Sequence, residues 1–425
     1  MARIVLNTFG SFGDIHPYLA IAIELRRRGH DAVLATSEVY RKKVEAEGVG
    51  FAQVRPDVGE LLGNQAFLER IWDPRHGSEY LIRDYLLPKV EDAYEDLRAA
   101  CQGADLLVTH AAAYAGPIVA EALKLRWISI ALQPAILFSK YDPSVAAPAP
   151  WMRHFYRLGR WPWALMLAAA RYRTKSWAEP ALQLRKRIGL NVGSNPVMEG
   201  PFSPFGTLAL FSEHFAKPQP DWPPNSRATG FVFYDRRGEG FGTSSNNGLQ
   251  KFLDDGSPPV LFTLGSSAVM QPGDFYQQSL AAALKVGVRA VLPIGTLDRA
   301  NFPQVLPDSI YIADYAPYSE IMPRVALTVH QGGIGTTAQA LRAGRPMLVA
   351  PWAHDQPDNA ERLRKLGVSR TIARASYSGE RAAREIERLL SNGHYRATAA
   401  QIGAKIASEN GLSAACDALS AFLAN

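Results

Sequence analysis

The segment Val329-His330-Gln331-Gly332-Gly333-Ile334-Gly335-Thr336-Thr337 concentrates residue types that handle anions. An apolar run ends at His330, glycines follow at 332, 333 and 335, and Thr336 and Thr337 open a helical pattern. Glycines let backbone amides approach an anion closely, and the free amides of a helix N-terminus carry roughly half a positive charge. Gly332, Gly333, Gly335 and Thr336 therefore read as a cradle for a diphosphate. The bland alternative is a tight strand-to-helix turn that needs glycine and binds nothing. Other nucleotide signatures do not fit: the early turn Gly10-Ser11-Phe12-Gly13-Asp14 has the wrong spacing for G-x-G-x-x-G, and its Asp would repel a pyrophosphate. No G-x-x-x-x-G-K-[ST] loop is present.

The neighbourhood sharpens the reading. Tyr315-Ala316-Pro317 precedes the cradle, Ser266 and Ser267 close a strand-end turn (TLGSS), and PWAHDQPDNAERL follows from Pro351. In order and spacing these pieces resemble the donor-binding signature of the inverting nucleotide-sugar glycosyltransferases of the GT-B fold. That group includes plant secondary-product, sterol and bacterial antibiotic enzymes, and the nearest likeness is to bacterial rhamnosyltransferases of the rhamnolipid type. The likeness is strong over about residues 252–367, fair over 1–50 and weak between about 111 and 225. It implies an α/β protein with two Rossmann-like domains facing across a cleft. It further implies that Tyr315 stacks on the nucleobase and Ala316 offers its backbone to the base edge. His330 would then hydrogen-bond a phosphate oxygen. The amides after Gly333, with Thr336 and Ser266 or Ser267, would hold the diphosphate. Asp355 and Gln356 would bind sugar hydroxyls, and Trp352 would line the pocket. Many relatives carry a ribose-binding Glu where this chain has Ala338, which favours a dTDP-sugar donor over a UDP-sugar.

Transfer with inversion needs a base beside the acceptor hydroxyl. Relatives place a His there in a G-H-x-x-P pattern, and counting back three from Pro17 lands on Asp14; the sterol and antibiotic branches use Asp at this place. A carboxylate is a weak base at its ordinary pKa near 4, so burial must assist it. His16 is the rival base, and His110 could orient or assist. Asp14 also fits the N-cap of a helix starting near Pro17. No D-x-D pair or His/Cys cluster at metal spacing occurs, so no metal is expected and the helix N-terminus with His330 would offset leaving-group charge. The expected reaction moves a sugar, rhamnose or glucose, to a small hydrophobic acceptor such as a flavonoid, polyketide or hydroxy fatty acyl lipid. Competing expectations are a nucleotide-sugar 2-epimerase of the same fold and a non-catalytic nucleotide-binding or membrane-surface protein.

The elements that must position these residues follow from periodicity. A chain of 425 residues, 47% hydrophobic and 20% charged, calls for two globular domains, and a net charge of +6 without a dense basic run does not favour nucleic acid. Cys101 and Cys416 support no disulfide framework. The chain opens on a strand-like run rather than a signal peptide, and its longest apolar stretch, around Trp161 to Ala170, is roughly half a membrane span; a cytoplasmic protein is expected. Strands are expected at Arg3–Thr8, Ala32–Thr36, Leu106–Thr109, Trp127–Leu132, Ala228–Tyr234, Val260–Leu264, Ala290–Pro293, Tyr311–Ala313, Leu327–His330 and Met347–Ala350. Helices are expected from Pro17 to before Gly29 and over Tyr40–Glu47, Phe275–Val286, Gly335–Ala343 and Asp358–Leu366, with Gly379 to Asn425 helical throughout. Short apolar strands alternating with helices imply parallel β-α-β units. The expected boundaries are an acceptor-binding domain over 1–217, a linker region over 218–248, a donor-binding domain over 249–405, and a helix over 406–425 packing back on the first domain. Between about Ala146 and Asn195, Trp151, Phe155, Tyr156, Trp161, Trp163 and Trp177 interleave with Arg153, Arg157, Arg160, Arg171, Arg173 and Lys175. This stretch suits either a helix pair packing its aromatics inward, or an acceptor wall or membrane-surface patch.

Overall fold

A computed structural model describes residues 1–59, 64–152, 154, 159–235, 246–295, 299, 302–303 and 305–424. Of the Trp/Arg stretch, Arg153, Phe155, Tyr156 and Arg157 lie outside the described residues. Two compact units emerge, Met1–Tyr234 with Glu409–Asn425, and Asp235–Ser408.

The first unit is a seven-stranded sheet built from β1 (Arg3–Asn7), β2 (Asp31–Thr36), β3 (Gly50–Gln53), β4 (Leu106–His110), β5 (Trp127–Ala131), β6 (Thr207–Ala209) and β7 (Ser226–Ala228), in the order β3-β2-β1-β4-β5-β6-β7. Every pairing is parallel. All five residues of β4 and of β5 are buried, as expected for strands covered on both faces. The second unit repeats the plan with β8 (Val260–Thr263), β9 (Ala290–Pro293), β10 (Ile310–Ala313), β11 (Leu327–His330), β12 (Met347–Val349) and β13 (Ser369–Thr371), ordered β10-β9-β8-β11-β12-β13 and again parallel. In each sheet the chain order reverses once near the middle, between β1 and β4 and between β8 and β11. Open α/β sheets bind ligands outside the carboxyl ends of the strands at such a point.

The helices that matter for these ends are α1 (Phe12–Arg27), α2 (Arg41–Ala46), α3 (Val90–Ala100), α4 (Ala115–Ala122), α5 (Arg160–Lys175) and α6 (Glu179–Arg187) in the first unit. The second unit contributes α7 (Phe275–Val286), α8 (Ile334–Arg342), α9 (Gln356–Lys365), α10 (Gly379–Ser391) and α11 (Gly393–Ala407). The chain then ends in α12 (Gly411–Ala424), which packs on α1 and belongs to the first unit. Arg28 pairs with Asp417 at 2.6 Å, Cys416 is buried, and Glu409 accepts a hydrogen bond from Ser212 at 2.7 Å.

Two local expectations change. Helix α1 begins at Phe12 rather than near Pro17, because Ser11 supplies the cap and Pro17 is carried inside the helix. The strand expected over Ala228–Tyr234 is instead the three-residue β7 ending at Ala228, and β6 is equally short. At the far edge of the sheet a short parallel strand satisfies its neighbour, and longer apolar runs are not required there.

Candidate functional site

The sequence Ser11-Phe12-Gly13-Asp14 folds into a capping box at the start of α1. Gly13 N–H donates to Ser11 Oγ at 3.2 Å, and Asp14 Oδ2 accepts from Ser11 N–H at 2.8 Å and Ser11 Oγ–H at 3.3 Å. Asp14 is thus the third helical residue and not the N-cap. Its Oδ1 stays outside the box and lies 3.8 Å from His110 Nε2, at the end of β4. The two side chains therefore meet at the point where the strand order of the first sheet reverses.

Electrostatics gives this pair opposite tendencies. Burial raises the Asp14 carboxyl to about 6, against the lowering effect of the Ser11 hydrogen bonds, although a quarter of the side chain remains open (27%). His110 is buried and its imidazole is pushed down to about 4 by the same cause, so the ring is neutral at pH 7. Its Nδ1 accepts from Ala112 N–H at 3.2 Å, which leaves the ring proton on Nε2, facing Asp14. At 3.8 Å the Asp14 carboxylate is beyond hydrogen-bond distance, and that nitrogen has no hydrogen-bond partner among the described residues.

His16 is not brought to this pair. Two residues along a helix turn a side chain to another face, and its ring stacks on Phe12 (5.0 Å) and against Tyr234 (4.7 Å). Burial and the nearby Lys43 charge lower it to about 3.

Gly10 has the backbone that only glycine adopts readily, φ +131°, and a Cβ there would sit 2.3 Å from Asp14 Oδ2. Gly10→Ala is therefore expected to displace the carboxylate. Were Asp14 the base that inverting transfer needs, turnover should fall roughly tenfold to a hundredfold with the circular dichroism spectrum unchanged.

A cavity of about 990 Å³ opens in the same unit. Its lining includes Tyr114, Ile118 of α4, Leu125 and, from α5, Leu167, together with residues at or just before the starts of β5, β6 and β7 (Trp127, Phe205 and Pro224), and neither Asp14 nor His110.

In the second unit the residues expected to form a cradle lie at its own reversal point. His330 ends β11, fully buried, and its Nδ1 accepts from Gly332 N–H at 3.1 Å. Burial holds the ring neutral, pushed down to about 3, so its proton sits on Nε2, a buried donor with no partner among the described residues. Gly332 has φ +90°, and a Cβ would press on Val349 at 2.9 Å and the Gln356 carbonyl at 3.2 Å. Gly333 is the N-cap of α8 and supplies no side-chain hydrogen bond, which leaves the helix's first amides uncapped by side chain. Ile334, Gly335 and Thr336 form that first turn.

The other expected residues separate into two groups. Ser266 is exposed and Ser267 half-buried at the end of β8, beside the cradle strand. Tyr315 is 44% exposed, with Ala316 buried behind it. Asp355 is half-buried and stands at the N-cap position of α9 without a side-chain capping bond. For three of the expected residues the structure shows what already engages the side chain. Trp352 is 2% exposed and packs against Phe275 (5.6 Å) under the Arg374 guanidinium (4.7 Å), so it is a core residue rather than a pocket wall. Gln356 is buried, and its Oε1 accepts from Trp352 N–H (2.7 Å) and Ala353 N–H (3.2 Å), which fixes the turn. The Thr336 hydroxyl is bonded to Tyr318.

Three residues went unmarked in the sequence. Asn359 is fully buried and donates to the Gly332 carbonyl (2.9 Å) and to Asp355 (2.7 Å), tying the cradle to the expected sugar-binding acid. Its four-residue spacing from Asp355 was the available signal. Gln331 is buried against Gly265 and Gly333, where added Cβ atoms would lie 2.4 and 2.8 Å from its Nε2. Tyr318 shares a 2.5 Å hydrogen bond with Thr263 and links β8 to α8. Among the described residues no group of three or more His, Cys, Asp or Glu is placed to hold a metal ion.

Two parallel sheets, of seven and six strands and each reversing once, give the two-unit α/β arrangement of the GT-B fold. Residues 4–136 match the glycosyltransferase family 28 N-terminal domain, and residues 278–417 match the erythromycin biosynthesis protein CIII-like C-terminal domain. The chain is 30% identical to the O-mycaminosyltylonolide 6-deoxyallosyltransferase of Streptomyces fradiae, over 97% of this chain and 96% of that one. It is also 30% identical to a sterol 3-beta-glucosyltransferase of Leptosphaeria maculans over 86% of this chain, but spans only 25% of that relative's length. A solved spinosyn rhamnosyltransferase complexed with thymidine diphosphate shares the fold, with a TM-score of 0.68 at 18% identity, covering 99% of this chain and 100% of that one. The chain belongs to the GT-B UDP-glycosyltransferase superfamily, and it is a glycosyltransferase. The expectation of a non-catalytic nucleotide-binding protein gives way to that finding.

Proposed function

We propose that this enzyme transfers a 6-deoxyhexose or glucose, with inversion, from a dTDP- or UDP-sugar to a hydroxyl of a small hydrophobic acceptor. The observation that carries this reading is the buried, unpartnered Nε2–H of His330 beside the uncapped first turn of α8. A buried donor without a partner costs about 1–3 kcal/mol, and a phosphate oxygen would satisfy it. The amides of residues 334–336 would hold the rest of the diphosphate. Tyr315, open to solvent at the end of β10, would stack on the base, and Asp355, held by Asn359, would take a sugar hydroxyl. Ala338, where a ribose-binding carboxylate is missing, favours dTDP, in keeping with the thymidine diphosphate bound to the spinosyn relative.

In the first unit, Asp14 serves as the base and His110 as its positioning partner. The acceptor oxygen attacks the anomeric carbon, its proton passes to Asp14, and the bond to the diphosphate breaks. Charge on the departing nucleoside diphosphate is met by His330 and the α8 amides. The acceptor is a small hydrophobic molecule that bears a hydroxyl. A flavonoid, a polyketide and a hydroxy fatty acyl chain all fit that description.

Tyr315→Ala is expected to raise the donor KM about tenfold and change kcat little, because base stacking is worth roughly 1–3 kcal/mol. Steady-state kinetics with varied donor would show it. The reading as a whole is tested by mass spectrometry of paired dTDP- and UDP-sugars against phenolic and hydroxyacyl acceptors. A glycosylated product and free nucleoside diphosphate, both requiring acceptor, support transfer. Isomerised donor without acceptor would establish an epimerase instead.

A further inference from the structure

Helix α5 has two faces of opposite destiny. Its inner face packs into the first unit through Trp163 (4% exposed) and Thr174, while Ala164 and Leu167 line the cavity. Its outer face carries Trp161, Leu165 and Tyr172, which are 78%, 74% and 85% exposed. Steps of four and seven residues put all three on one stripe, about 16 Å long at the helical rise. Single exposed apolar residues are ordinary, but an aligned Trp, Leu and Tyr on one helix face is a patch.

The rim of the stripe says what covers it. The helix contains Arg160, Arg171, Arg173 and Lys175 and no Asp or Glu. Arg171 and Arg173 reach down to Glu199 (2.8 Å) and Glu79 (2.7 Å), exposed pairs that fasten the helix to its unit. Arg160, whose guanidinium lies 5.6 Å over the Tyr141 ring, and Lys175 mark the two ends. With Arg171 and Arg173 facing Glu199 and Glu79, an antiparallel second copy would still set Arg160 against Lys175, like charge against like. An aromatic and aliphatic stripe with basic ends, and no acid on the helix, matches instead the interface of an anionic bilayer.

We infer that α5 is a peripheral docking surface for anionic lipid, lying in the plane of the interface with Trp161, Leu165 and Tyr172 inserted. Among the described residues no helix is long and apolar enough to cross a membrane, so contact of this kind is lateral. The surface is independent of the donor cradle and of Asp14.

The test is flotation of the full chain with vesicles of phosphatidylcholine containing about 30 mol% phosphatidylglycerol, a charge density of the kind that basic segments sense. The wild-type chain is expected to float with these vesicles, to be released by high salt, and to ignore pure phosphatidylcholine. The triple variant Trp161→Ser, Leu165→Ser, Tyr172→Ser should lower the bound fraction about tenfold while keeping its thermal melt and its transfer to a soluble acceptor. Arg160→Glu with Lys175→Glu should lose anionic selectivity. Equal flotation of wild type and triple variant overturns the proposal, as does equal binding to neutral vesicles. A dimer that the triple variant dissolves, with no vesicle binding, would assign the stripe to a second copy instead.

Discussion

Asp14→Asn is expected to remove sugar transfer and to stabilise the protein in the same step. A general base contributes roughly a hundredfold to ten-thousandfold, and turnover should fall by that order. The stability effect follows from the raised carboxyl. In the folded chain it titrates at about 6, against an ordinary value of 3.8, because burial disfavours its charge. The folded state therefore binds the proton more tightly than the unfolded chain does. The favourable contribution is fully present below about pH 4 and is lost as pH rises through 6. At pH 7 the ionised form costs up to about 3 kcal/mol. Asn keeps an oxygen for Ser11 N–H and removes the charge, so the melting temperature at pH 7 should rise, and the gain should vanish near pH 4. In the wild type, kcat/KM should fall about tenfold per unit below pH 6 as the base is protonated. Were Asp14 only a helix cap, the Asn variant would keep its turnover.

His330 should separate by which nitrogen is imitated. His330→Asn places an amide oxygen near Nδ1, where Gly332 N–H needs an acceptor, and leaves nothing at Nε2. Loss of one preorganised donor to developing negative charge costs about a hundredfold to a thousandfold, and both kcat and nucleoside diphosphate affinity should drop by that order. His330→Gln, whose amide nitrogen reaches further, should recover part of both. Calorimetric titration with dTDP alongside single-turnover kinetics distinguishes the two variants. Equal loss in both, with a lowered melt, would assign His330 to packing alone.

Much of this was legible because glycines and histidines at strand ends are visible without coordinates. The strand ending at His330, the glycines after it and the first helix of the second sheet fall where periodicity put them. Asp14 was found by counting from Pro17, yet the helix start was missed, since Ser11 outcompetes Pro17 as its origin. What sequence could not show is which polar atoms are already spent. Gln356 has the right type for sugar binding, but its oxygen holds two turn amides. Trp352 is aromatic beside the site, but a Phe275–Arg374 sandwich claims its ring. Likewise His16 and His110 look equivalent along the chain, and only tertiary structure brings β4 to α1. Asn359 stayed hidden because its bond to the Gly332 carbonyl leaves no residue-type signature, and its four-residue spacing from Asp355 was the one signal on offer.

The most direct measurement is a structure of the full chain crystallised with dTDP. The β- or α-phosphate oxygens are predicted within hydrogen-bond distance of His330 Nε2 and the amides of residues 334–336, with the base against Tyr315. A diphosphate bound anywhere else, with the His330 ring still sealed and its proton unpartnered, would contradict the account.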